Sequence, residues 1–224
     1  MHAGDSQIEK QYRDFISAES FPCIAAKVAV KKSNIQVMVA GHMGCPMHDK
    51  HIHEFLGKFV FDFRNSNEIY HSAAVIFRYP VSGEDEFENL LWQRLQSLSD
   101  IDALQNEYDT SVNRDPFADN FSFSLHGEGL FIIGMHPYNE RPARRFSYPA
   151  LIFNPHKSFE ELRSKGGYNK MKSLVRQHDL EMNGSVNPML ADFGERSETF
   201  QYSGKKYDSS WQCPLQINHG KEQN

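Results

Sequence analysis

Apolar positions recur along the chain at two spacings. Between Met47 and Phe63 they fall at Ile52, Phe55, Leu56, Phe59, Val60 and Phe63, three or four apart, as on one face of a helix. Glu84–Leu98 repeats the pattern with Phe87, Leu90, Leu91, Leu95 and Leu98, which predicts an amphipathic helix. Ser6–Ser20 has a helical charge pattern. Phe21–Val30 is apolar and Ala-rich and predicts a helix with Pro22 in its first turn. Phe159–Lys165 and Tyr168–Met182 read as helices ended by Gly166-Gly167 and Asn183-Gly184.

Strand signals lie between these segments. Ile35–Ala40 is β-branched and stops at Gly41, and Ser72–Tyr79 reads as a buried strand. Phe121–Leu125 and Gly129–Met135 flank His126-Gly127-Glu128 as a hairpin, and Tyr148–Phe153 is a strand that stops at Asn154-Pro155. Tyr108–Asn120 reads as a loop, too short for an interdomain linker. The expectation is one α+β domain over residues 1–224, a mixed sheet with helices packed on it. Its core spans about residues 21–215, and a polar tail, 216–224, frays.

Composition narrows the function. Of 224 residues, 39% are hydrophobic and 24% charged, an ordinary globular balance. Seventeen Phe, nine Tyr and two Trp suffice for a large core or an apolar pocket. A net charge of −5 argues against a nucleic-acid binder of the basic kind. Cys23, Cys45 and Cys213 are too few and too scattered for a disulfide framework, which points to a reducing cytoplasm. No signal peptide is visible in the charged stretch Met1–Phe15, and no apolar run approaches a membrane span.

Several residues carry candidate chemistry. His48 and His51, three apart, share a helix face, with His53 on another and His42 and Cys45 just upstream. This is not a zinc-protease spacing, and a solvated face accounts for it, with a metal-dependent enzyme as the alternative. His136 and His156 each follow a predicted strand and adjoin a proline. Arg141, Arg144 and Arg145 lie between them, suited to clamp carboxylates or phosphates. No Gly-rich phosphate loop and no Gly-x-Ser-x-Gly elbow occurs.

A family resemblance organises these residues. Phe21-Pro22-Cys23 with Ala26-Lys27, and Phe121-Ser122-Phe123-Ser124 through Gly127-Glu128 to Phe131–Pro137, are similar to motifs of the YqcI/YcgG family. So are Arg141–Phe146, Phe153–His156, Gly184–Leu190, Ser197-Glu198, Gln201–Gly204 and Trp211–Pro214. The match runs from about Phe21 to Leu215, and the His48–His53 stretch lies outside its motifs. The resemblance implies a haem-dependent oxygenase that hydroxylates a guanidino nitrogen of arginine or a related small molecule, as family members in guanitoxin and D-cycloserine biosynthesis do. Such an enzyme needs haem, molecular oxygen and an electron donor. His136 is the first choice of axial ligand. His156 is the second, or a distal group, and Cys23 is the third. Arg144 and Arg145 are candidates for the propionates. Glu128, Glu195 and Glu198 are candidates for the guanidinium, the first and last within family-like motifs. A haem-binding or haem-sensing protein without turnover is the alternative.

Overall fold

The computed structural model describes residues 4–185, 189 and 193–220. Five strands, β1 (Ile35–Ala40), β2 (Ser72–Phe77), β3 (Phe123–Leu125), β4 (Glu128–Met135) and β5 (Ala150–Pro155), form one sheet in the order β1-β2-β5-β4-β3. β1 and β2 are parallel, and every other neighbouring pair is antiparallel. The fold is therefore α+β with a mixed sheet, as expected. β2 is buried at every position, so Ala73–Phe77 reads as a continuous apolar run without alternation.

Seven helices appear among the described residues: α1 (Asp5–Ser17), α2 (Ile24–Lys31), α3 (Asp49–Arg64), α4 (Glu84–Ala103), α5 (His156–Ser164), α6 (Tyr168–Asn183) and α7 (Thr199–Tyr202). None is long and apolar enough to cross a membrane. α3 and α4 cover one face of the sheet, where Leu130 and Ile132 of β4 meet Leu56, Phe59, Phe87, Leu91 and Leu95. α1 and α2 cover the other face, where Met135 meets Ile8, Tyr12, Ile16 and Ala29. Alternate residues of β4 thus belong to different cores, as the period-two pleat requires.

The structure amends four expectations. α2 begins at Ile24, so Pro22 precedes the helix and Cys23 caps it in an extended conformation. Glu128 is not in the hairpin turn but opens β4, paired with Leu125. The turn is His126-Gly127, with φ of 52° and 68°, the two left-handed residues of a tight type I′ hairpin. β5 continues through Pro155, and α5 starts at once with His156.

The fourth amendment concerns the tail. Cys213, Leu215, Ile217 and His219 are buried in strict alternation, and the chain is held through Gly220. Gln96 accepts from the Gln216 N–H and donates to its carbonyl, at 2.8 Å each. The Asn218 amide donates to Asp100, also at 2.8 Å. The polar residues of this segment are bonded to α4 while the apolar ones enter the core, which is why composition alone suggested fraying. The remainder of the predicted tail, 221–224, lies outside the described residues.

Candidate functional site

The two faces of the sheet differ in how well they are filled. Under α1 and α2 an apolar cavity of about 230 Å³ remains open. Its origin is local and readable: Ala25, Ala26 and Ala29 of α2 present methyl groups where larger side chains would reach β4 and β5. Ile133 and Met135 form the floor, and Met171 and Val175 of α6 close the opposite side. The polar groups on this wall are few. They include the Cys23 thiol, the Tyr12 and Tyr70 hydroxyls, His71, Ser158 and Lys172. Burial pushes the Cys23 thiol up, and the backbone N–H groups of Ala26 and Ala25 and the charge of Lys27 offset this only in part. Burial lowers the His71 imidazole, against the pull of Glu68 and Asp62. The Ser158 hydroxyl is buried with no hydrogen-bond partner among the described residues.

A second, smaller chamber of about 130 Å³ lies beside the first. Phe131, Phe159 and Tyr168 line both. His156, Glu198, Gln201, Phe193 and Arg163 complete it, the arginine paired with Glu160 and lying over the Tyr168 ring at 4.4 Å. His156 Nδ1 stands 3.7 Å from Glu198 Oε1, and both side chains are nearly inaccessible. The opposite ring nitrogen of His156 is 3.2 Å from Glu160. The Tyr202 hydroxyl donates to Glu198 Oε2 at 3.3 Å and accepts the Phe123 N–H at 3.2 Å. Burial, with Glu198 nearby, raises the Tyr202 phenol, so it remains a donor. Among the described residues Glu198 pairs with no lysine or arginine. A buried carboxylate without a cation is a natural receptor for one.

The candidates from the sequence separate into three places. His156 and Glu198 meet in the small chamber, and Cys23 borders the large one. His136, Arg144 and Arg145 gather elsewhere. The His136 ring is wholly buried, stacks on Phe87 of α4 at 4.3 Å and stands 3.2 Å from the Asn139 amide nitrogen. Burial and then Arg144 lower its pKa to about 4. It therefore lies under α4, while its neighbour Met135 faces the large cavity. Arg144 donates to the carbonyls of Gln201 and Tyr202, and Arg145 to those of Asn139 and Glu140. Both arginines knit loops together. Glu128 is turned to Arg64 and Lys157, at 2.9 and 3.0 Å, and Glu195 is exposed. Of the Gly184–Leu190 motif, Val186, Asn187, Pro188 and Leu190 lie outside the described residues.

The histidine-rich stretch also divides. His51 is exposed and His48 half-buried, with rings 6.5 Å apart. His53 turns inward to Asp102 of α4, at 2.7 Å. Asp102 is fully buried and also takes His219 Nε2 at 3.0 Å, the Asn106 amide at 2.8 Å and the His126 N–H. Burial alone would raise this carboxyl, but its bonds to His219, His53 and His126 hold it well below the usual carboxylate range. None of Asp102, His126 and His219 was singled out from the sequence. The signal was present, because Asp102 continues the buried stripe Phe87, Leu91, Leu95, Leu98 one turn further along α4.

Comparison with known proteins agrees with the motif resemblance. The model of the YqcI/YcgG family matches residues 12–216. The chain is 27% identical over 206 residues to "Uncharacterized protein YqcI" of Bacillus subtilis (strain 168), covering 87% of this chain and 80% of that protein. No solved structure matches.

Proposed function

The chain belongs to the YqcI/YcgG family, and from that premise we propose that it is a haem-dependent oxygenase acting on a guanidino nitrogen of arginine or a related small molecule. One observation carries the reading: an apolar cavity with a thiol on its wall adjoins a chamber holding a buried carboxylate and imidazole. Haem needs an apolar slot, an axial ligand and cations for its propionates. The large cavity would supply the slot, Cys23 or His71 the ligand, and Lys172 a cation. At about 230 Å³, it falls below the roughly 300–1,000 Å³ that encloses drug-sized ligands. Entry of a macrocycle therefore requires α6, which closes the cavity, to shift outward.

When bound, haem supplies the oxygen-activating chemistry. The residues of this chain do the rest. Glu198 receives the guanidinium as a charge-assisted pair, and the Tyr202 hydroxyl fixes the carboxylate. The rings of Phe131, Phe159 and Phe193 exclude water and offer their faces to the cation. His156 Nδ1, which has no hydrogen-bond partner among the described residues, is placed to accept or return a proton at the substrate nitrogen. Phe131, Phe159 and Tyr168 line both cavities and would set the approach of a substrate in one to a cofactor in the other.

The test is expression with haem supply, followed by a visible spectrum and incubation with arginine, reductant and oxygen, read by mass spectrometry. The expected result is a Soret band and a hydroxylated product. Glu198→Gln should keep the band and lose product formation by about a hundredfold or more, the scale of a lost charged contact. Absence of a Soret band removes the proposal. A band without product across a guanidine panel leaves haem binding and removes the oxygenase.

A further inference from the structure

The buried cluster around Asp102 is used neither by the fold's hydrophobic logic nor by the proposed chemistry. We propose that His53, Asp102, His126 and His219 form a structural site for one divalent metal ion of the zinc class, which clamps the C-terminal segment to the body of the protein.

Four separate elements converge on this point. His53 comes from α3, Asp102 from α4, His126 from the hairpin turn and His219 from the segment after α7. Asp102 is 0% exposed, and no lysine or arginine among the described residues pairs with it. Its partners are imidazoles, a backbone N–H and the Asn106 amide. A carboxylate so deep needs positive charge, which a metal ion provides.

The distances suit such an ion. His53, Asp102 and His126 each offer a ligand atom, all within 4.8 Å of one another. His53 and His219 lie 2.7 and 3.0 Å from the two carboxylate oxygens. A tetrahedral ion with bonds of about 2.1 Å sets its ligand atoms about 3.4 Å apart. His219 stands outside that set of three and touches the cluster through the Asp102 carboxylate, so it joins the ion by a shift of its side chain. The His53 and His126 rings already face each other at 4.1 Å.

Two further features point the same way. His126 is held at φ 52°, a left-handed conformation uncommon for any residue but glycine. The turn brings a ring to this cluster where asparagine or glycine would serve the hairpin equally well. Asn106 and the His126 N–H steady the carboxylate from outside, as second-layer hydrogen bonds do around metal ligands. All four ligands come from protein and the cluster is nearly closed, which fits a structural ion and not a catalytic one. A polar cavity along the Tyr108–Asn120 loop reaches His219 and gives the ion a path inward.

The experiment uses the full chain, stripped with a chelator and titrated with zinc and, separately, cobalt. The expected result is one tightly bound zinc per chain, tetrahedral visible absorption with cobalt, and protection of residues 213–220 against proteolysis. His126→Asn keeps the left-handed turn, so the fold is retained by circular dichroism. Its zinc affinity should fall by about tenfold or more. His48→Gln with His51→Gln removes the two histidines outside the cluster and should leave zinc binding unchanged. Three results overturn the proposal: no stoichiometric binding by the unaltered chain, equal affinity in His126→Asn, or loss of binding in the His48/His51 variant. Zinc content is measured independently of haem, so failure here leaves the proposed oxygenase untouched, and the converse holds.

Discussion

The two faces of the sheet solve the same burial problem differently. Under α3 and α4 the core is filled by large rings, with Phe59, Phe77, Phe87, Phe121, Phe123 and Phe153 all fully buried. Under α1 and α2 the alanines of one helix leave a cavity, and α6 closes it. Both faces are apolar, so hydrophobicity does not distinguish structure from candidate site. Side-chain size does. The filled face carries stability, and the face lined with small residues keeps room for a ligand.

The sharpest way to break this contrast is to remove a ring from the filled face. Phe87→Ala should cost about 3–5 kcal/mol in urea unfolding, because a fully buried ring leaves a cavity that its neighbours do not refill. A loss under 1 kcal/mol, roughly the cost of a tolerated core swap, would show that this face is loosely packed after all.

A second effect comes from His136 on the same face. Its folded pKa of about 4 lies below the ordinary value of 6.5. Below pH 6.5 the unfolded chain binds a proton that the folded chain refuses. Stability therefore falls as pH drops from 6.5 towards 4, by up to about 3 kcal/mol. His136→Gln should flatten that part of the pH–stability curve. An unchanged slope would place the acid sensitivity elsewhere.

The smallest stability effect belongs to the open face. Ala26→Leu extends a side chain into the cavity and should alter stability by less than about 1.5 kcal/mol. Haem uptake, followed by the Soret band, should nevertheless be abolished. If Ala26→Leu is as destabilising as Phe87→Ala, the two faces are packed alike and the contrast fails.

Much of this architecture was legible in the sequence because it rests on periodicity. The stripes of α3 and α4, the run of β2 and the strands of the hairpin follow directly from spacing. What spacing did not convey was which apolar face would be filled. His136 follows a strand whose alternate residues point to opposite cores, so its parity with Leu130 and Ile132 already placed it away from Met135. Placing Glu128 in the turn hid its strand position and its ion pairs with Arg64 and Lys157. The meeting of His156 with Glu198 was not readable, because α5 and the Ser197-Glu198 segment adjoin only in three dimensions. The Asp102 cluster escaped for a similar reason and for one more: ending α4 at Leu98 left the aspartate just outside the stripe that buries it.

The segment 213–220 adds a constraint on how the protein is made. It seals the core beside α4 with Cys213, Leu215 and Ile217, residues synthesised long after the helix they cover. Until they clear the ribosome, α4 and the hairpin have no cover there and Asp102 lacks His219. A nascent chain can form the sheet and its local helices, but closure over α4 waits until residues 213–220 are made and free to pack. Release of a chain shortened before residue 213 would leave apolar surface open along α4, a form that chaperones hold and proteases remove.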